Sequence, residues 1–163
     1  MELPQYKQVF NLTGQELLPH RPPFIFVDTL VSADETGAVG EYTFTLEKND
    51  FFKGHFPEYP VVPGVILLEA MSQVAGASVV ARKVIGDQVA FAIASFDGAK
   101  FRQPFRPGDR LVTVVKVVRE WAPLGVYEVK GYLNGEPDKH GNPAVEVTVK
   151  CMMGKMLVEK RGA

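Results

Sequence analysis

The 163-residue chain has a single cysteine, Cys151, which excludes an intramolecular disulfide and any cysteine-rich zinc site. One thiol fits a reducing, cytoplasmic compartment. Its place in the alternating run VTVKCMM predicts a buried, inert side chain. Net charge is almost absent: 18 basic and 19 acidic residues leave −1. Bulk electrostatics therefore do not draw the chain to polyanions, and an anionic partner would have to meet a local basic patch. The opening MELPQYKQVF lacks the charged-then-apolar pattern of a signal peptide, so the sequon NLT at 11–13 reads as chance. With 46% hydrophobic and 23% charged residues there is no disordered or collagen-like bias, and the length suits one domain, 1–163.

Long hydrophobic runs are also scarce. The single candidate, residues 61–81, has 21 residues and one charge, enough to span a bilayer. Glu69 near its middle would cost about 2.5–3.5 kcal/mol on insertion. Ser72, Gln73 and Ser78 add to that cost, and Pro63-Gly64 breaks the run. The run reads instead as the central helix of a soluble fold, about residues 64–84, with no membrane insertion.

Around this helix the pattern is mostly strand. TGQELLPHRPPF opens with Thr13 and Glu16 at capping-box spacing, predicting a short helix at about 14–19. FIFVDTLVS reads as a strand and ADETG as a turn. AVGEYTFTL alternates, with Tyr42, Phe44 and Leu46 on one face. After the helix come QVAFAIASF, RLVTVVKVVREW, GVYEVKGYLN and AVEVTVKCMM, separated by Gly, Pro, Asn and Asp turns that suit antiparallel connections. The expected fold class is α+β, a curled antiparallel sheet wrapped around one long central helix. The helix's other side needs cover, which a second copy of the chain would supply as a homodimer.

The chemistry concentrates in GHFPEYPVVPGVILLEAMSQVAG, residues 54–76. Pro57, Pro60 and Pro63 stiffen a loop that starts with His55, a side-chain type suited to moving protons near neutral pH. Gly64 stands where the helix begins, and unpaired N–H groups there can polarise a carbonyl. Glu69 lies five residues on, roughly 7.5 Å along the axis. Its apolar neighbours disfavour the ionised form and favour a carboxyl able to donate a proton. Gln73, at i+4, can hydrogen-bond it. A base, a poised acid and carbonyl-polarising amides suit removal of a proton α to a carbonyl with departure of a β-hydroxyl. Taken singly, His55 also fits a surface or packing residue, and Glu69 a structural carboxylate.

This segment closely resembles the signature of the FabZ-type β-hydroxyacyl-acyl-carrier-protein dehydratases, which have the hotdog fold. LPHRPPFIFVD (18–28) and FDGAKFRQPFRPGD (96–109) resemble two further blocks of that family, so the likeness covers about residues 12–155. The resemblance implies that His55 takes the α-proton and Glu69 protonates the leaving hydroxyl. It also implies that the Gly64 amide contacts the thioester carbonyl and that Gln73 orients the acid. The histidine of one chain would face the acid of its dimer partner. Glutamate, where FabA-type relatives carry aspartate, favours dehydration without isomerisation. The implied substrate is a (3R)-3-hydroxyacyl group on the phosphopantetheine of acyl carrier protein, with no cofactor and no metal. The implied assembly is a homodimer or trimer of dimers.

Several residues depart from the pattern or stay open. Glu58-Tyr59 adds charge and bulk near the presumed site mouth, and Ser95 stands where glycine is usual. The 135–143 loop has no assignable role, and His140 within it reads as solvated. His20 reads as structural, and no spacing among the three histidines suggests a metal site. Lys100, Arg102, Arg106 and Arg110 read either as a solvated loop or as a docking surface for the acidic carrier protein. Phe101 and Phe105 fit core or interface, and the patch is too short to prefer single-stranded nucleic acid. The rival functions are a hotdog acyl thioesterase and a non-catalytic acyl-carrier-protein-binding protein.

Overall fold

The computed structural model describes residues 2–82 and 89–155. In chain order the elements are β1 (Gln8–Leu12), α1 (Gly14–Leu17), β2 (Thr29–Asp34), β3 (Gly37–Thr43), a 3-10 turn (Asp50–Lys53) and α2 (Gly64–Ala81). Then follow β4 (Val89–Phe101), β5 (Arg110–Trp121), β6 (Leu124–Leu133) and β7 (Val145–Lys155). All pairings are antiparallel, in one seven-stranded sheet ordered β1-β2-β3-β5-β6-β7-β4. Helix α2 touches every strand from β2 to β7, so the sheet curls round it. This is an α+β hotdog architecture.

Burial explains the composition of α2. Within the chain 67% of it is covered, which makes it a core helix despite a length and apolarity that would allow it to cross a bilayer. Close approach to the sheet depends on glycine at two strand positions. A Cβ on Gly40 would lie 2.8 Å from a Val74 methyl, and one on Gly131 would lie 2.8 Å from Leu111 and 3.1 Å from the Met71 sulfur. Met71, Val74, Val79, Phe44, Phe105 and Val149 belong to the one large core that results.

The far end of α2 is fixed by a buried ion pair. Arg82 donates to both carboxylate oxygens of Glu120, at 2.6 and 3.2 Å, and the Tyr127 hydroxyl donates to Glu120 at 2.8 Å. Burial first, then the Glu120 charge, holds the Tyr127 phenol far above its ordinary pKa. Removing one partner strands the other's charge in a dry site. Glu120→Ala should lower unfolding stability by about 3–5 kcal/mol, read from denaturant melts.

Cys151 is buried, and burial pushes its thiol up to about 12. At pH 8 roughly one thiol in ten thousand would be thiolate, the form that reacts. A small alkylating reagent should therefore leave native Cys151 untouched and modify it only in denaturant. Rapid native modification would contradict this placement.

Several boundaries differ from those the sequence suggests. β1 was not anticipated: its Cα register with β2 shifts between Val9 and Leu12, and its side chains are mostly exposed, so no clean period marks it. Residues 24–28 lie outside any strand although Asp28 N–H donates to Glu41 O at 2.9 Å and Val27 O accepts from Gly14 N–H at 3.1 Å, and β2 begins only at Thr29. β3 stops at Thr43, so Phe44 is buried while Leu46 turns outward at 56% exposure instead of joining Tyr42 and Phe44. α1 ends at Leu17 and α2 at Ala81, and the expected helical residues 83–84 lie outside the described residues, as does Gln88. β4 runs on to Phe101, carried past Phe96 by a register shift between Asp97 and Lys100.

Candidate active site

His55 is held by backbone on both sides. Its N–H donates to Phe51 O at 2.9 Å, and its carbonyl accepts Val61 N–H at 3.0 Å. The ring nitrogen Nδ1 lies 3.0 Å from Val61 O. A carbonyl can only accept, so in the neutral ring Nδ1 carries the hydrogen and Nε2 keeps a free lone pair. That is the tautomer a general base needs. Phe56 stacks on the imidazole at 4.2 Å between centroids. The loop beyond it is fastened down by Val62 N–H donating to Phe105 O at 2.8 Å.

Gly64 opens α2 after Pro63, which offers no side-chain cap. Ile66 and Leu67 N–H both close on Pro63 O, at 2.9 and 3.2 Å, while no partner takes the Gly64 N–H among the described residues. A Cβ here would stand 3.0 Å from the Phe101 ring, so the position is crowded on that side.

Glu69 and Gln73 lie one turn apart on α2. Gln73 is 3% exposed, and its amide orientation is fixed by its neighbours. Phe26 N–H can only donate and sits 2.7 Å from Gln73 Oε1. The amide nitrogen must then face Phe24 O, at 3.2 Å, and Glu69 Oε1, at 2.9 Å. Glu69 Oε2 has no protein partner among the described residues. The carboxyl is less enclosed than its apolar sequence neighbours suggest, since its side chain keeps 19% exposure. It opens on a hollow of about 160 Å³ walled by Leu18, His20, Ser72, Phe91 and Ile93.

His20 is the unexpected member of this hollow. Its Nε2 lies 3.7 Å from Glu69 Oε1, and Nδ1 is buried without a hydrogen-bond partner. His55 is not among the lining residues. A larger hollow, about 630 Å³ between α1 and the 3-10 turn, contains neither His55 nor Glu69.

The four basic residues of the 100–110 region do not form a free patch. Lys100 and Arg102 share Glu146, at 3.2 and 2.8 Å, and Arg110 pairs with Glu41 at 2.9 Å. Hydrogen bonds from Arg102 and Lys100 hold the Glu146 carboxyl below its ordinary range. Arg106 lies over the Tyr59 ring, 4.5 Å from its centroid, and donates to its hydroxyl. Tyr59 therefore engages one of the predicted docking side chains. Phe105 is core, and Phe101 is half exposed beside Gly64.

Residues 18–137 match the model of the FabA-like domain family. The chain is 38% identical over 145 residues to 3-hydroxyacyl-[acyl-carrier-protein] dehydratase FabZ of Anaeromyxobacter dehalogenans, covering 84% of this chain and 92% of that protein. It is 37% identical over 134 residues to the Brucella abortus protein of the same name, covering 82% and 85%. Among solved structures, the dehydratase heterocomplex ApeI:P of Xenorhabdus doucetiae superposes with a TM-score of 0.70 at 14% identity, over 89% of this chain and 93% of that one. That last likeness concerns the fold. With the family model spanning residues 18–137, which include the carboxyl-bearing core helix, and FabZ relatives 37–38% identical over most of the chain, the chain belongs to the FabA-like family and is a FabZ-type dehydratase, a hydro-lyase.

Proposed function

We propose that this single hotdog domain dehydrates (3R)-3-hydroxyacyl thioesters on acyl carrier protein to trans-2-enoyl thioesters, in the cytoplasm. The observation that carries the reading is the split oxygen pair of Glu69, a residue that lines a hollow: Oε1 accepts from Gln73, and Oε2 has no protein partner among the described residues. His55 Nε2 takes the proton from C2, and the electron pair forms the C2–C3 double bond. The C3–O bond breaks as Glu69 Oε2 gives its proton to the departing hydroxyl, which leaves as water. The Gly64 N–H, at the positive end of α2, stabilises charge on the thioester oxygen.

The base comes from a second protomer. The Glu69 hollow is walled by Phe91 and Ile93 of β4, the terminal strand of the sheet. Residues 89–96 of that edge carry no charge, whereas free edges are ordinarily blunted by charges. A second copy pairing there would cover the edge and bring its own loop to the hollow, giving two shared sites per dimer. The assembly is a homodimer or a trimer of such dimers.

The carrier protein docks on Lys100, Arg102, Arg106 and Arg110. The carboxylate partners of Lys100, Arg102 and Arg110 form ion pairs worth about 0–1 kcal/mol, and the Arg106 guanidinium engages Tyr59, so acidic groups of a carrier can compete for all four cheaply. The test is incubation with 3-hydroxyacyl-carrier protein: enoyl thioester formed without release of free carrier thiol supports the reading. Release of thiol would make the protein a thioesterase, and binding without turnover would make it a carrier-binding module.

A further inference from the structure

We infer that His20 is a positioning residue for the acid, donating from Nε2 to Glu69 Oε1 and thereby reserving Oε2 for the transferable proton. The inference rests on the proposed role of Glu69. It begins with the orphaned nitrogen: His20 Nδ1 is buried and has no hydrogen-bond partner. An N–H in that position would be a buried donor with no acceptor, which is costly, whereas a bare lone pair costs less. The hydrogen of the neutral ring therefore belongs on Nε2, the nitrogen that faces Glu69 Oε1 at 3.7 Å.

At 3.7 Å this contact is too long for a hydrogen bond. Catalytic hydrogen bonds are often long in an unloaded site and tighten when substrate arrives. Gln73 already donates to the same oxygen at 2.9 Å. Two donors on Oε1 and none on Oε2 distinguish the two oxygens. As Oε2 loses its proton to the leaving hydroxyl, negative charge spreads to Oε1, where both donors strengthen. His20 thus acts most in the transition state, through Glu69, without touching substrate.

The surroundings support this assignment. Among the described residues lining the hollow, Glu69 on α2 is the one charged group facing His20, and β4 contributes Phe91 and Ile93. The adjacent Arg21 guanidinium is turned back onto Leu18 O and His20 O, at 2.8 and 2.6 Å. Phe24 lies beside the imidazole at 6.5 Å between centroids. Gln73 ties this same 24–26 segment to α2, so His20 and Glu69 are carried by one braced unit.

The test combines kinetics and spectroscopy on the full-length protein. His20→Leu should lower kcat about tenfold to thirtyfold with KM little changed. The high-pH limb of its rate profile should move up by about half a unit to one unit, because a donor to the forming carboxylate is gone. His20→Gln, which restores an N–H donor, should recover part of the rate and return the limb. Nitrogen-15 shifts of wild-type His20 should show a proton on Nε2 and a bare Nδ1. A limb that stays at the wild-type pH in both folded variants, or a proton on Nδ1, would overturn the inference. Glu69→Gln, run in parallel, separates the two levels. If it keeps full turnover, the role of Glu69 itself is wrong. If it is inactive while the limb of the His20 variants is unmoved, only the role of His20 fails.

Discussion

Replacing Glu69 by Gln or His55 by Ala should lower kcat/KM for dehydration by about 10²–10⁴-fold, the usual contribution of one positioned acid or base. Glu69→Gln keeps the shape and the bond from Gln73 but cannot release a proton, so the fold should be unaffected. His55→Ala removes the lone pair and the bond to Val61 O, while the loop stays held by its backbone bonds to Phe51, Val61 and Phe105. Both variants should remain folded and bind acyl-carrier protein. Steady-state rates with melting curves alongside distinguish this from general destabilisation. Full activity in either variant would remove that residue from the chemistry.

Gln73→Leu should affect both activity and stability. The side chain satisfies Phe26 N–H and Phe24 O as well as orienting Glu69. Leucine fills similar space but leaves those backbone groups without partners, at about 1–3 kcal/mol each. Stability should fall by about 2–6 kcal/mol. Activity of the protein that remains folded should fall by up to about a hundredfold, since a shift near 1 Å in a reacting group is enough for that. Rates normalised to folded protein, with denaturant melts, check both parts. A stability loss with normal turnover would mean that Gln73 only joins the 24–26 segment to α2.

How much of this was legible in the sequence follows from the range of each interaction. Strands β6 and β7 were readable because apolar and polar residues alternate along much of their length, and β5 because Val-rich pairs run between turn residues. The Gln73–Glu69 contact was readable because four residues on one helix fix the geometry. The proximity of His20 to Glu69 was not, because the two are 49 positions apart and meet only when the 18–28 segment folds back on α2. The same holds for Arg106 and Tyr59, which look like a docking cation and a bulky intrusion until the fold pairs them. The apolar sequence neighbours of Glu69 predict burial that disfavours its ionised form. That pattern locates the helix in the core but cannot show that one side chain faces a hollow at the sheet edge.

The central claim is that each site combines Glu69 of one protomer with His55 of another, and subunit complementation tests it most directly. His55→Ala and Glu69→Gln chains, carrying different tags, are co-expressed and the mixed dimer is purified. If the sites are shared, one of the two in that dimer has both groups intact, and the symmetry of a two-fold dimer predicts about half the wild-type rate. A mixed dimer as inactive as its folded parents would contradict the account and place both groups of each site within one chain.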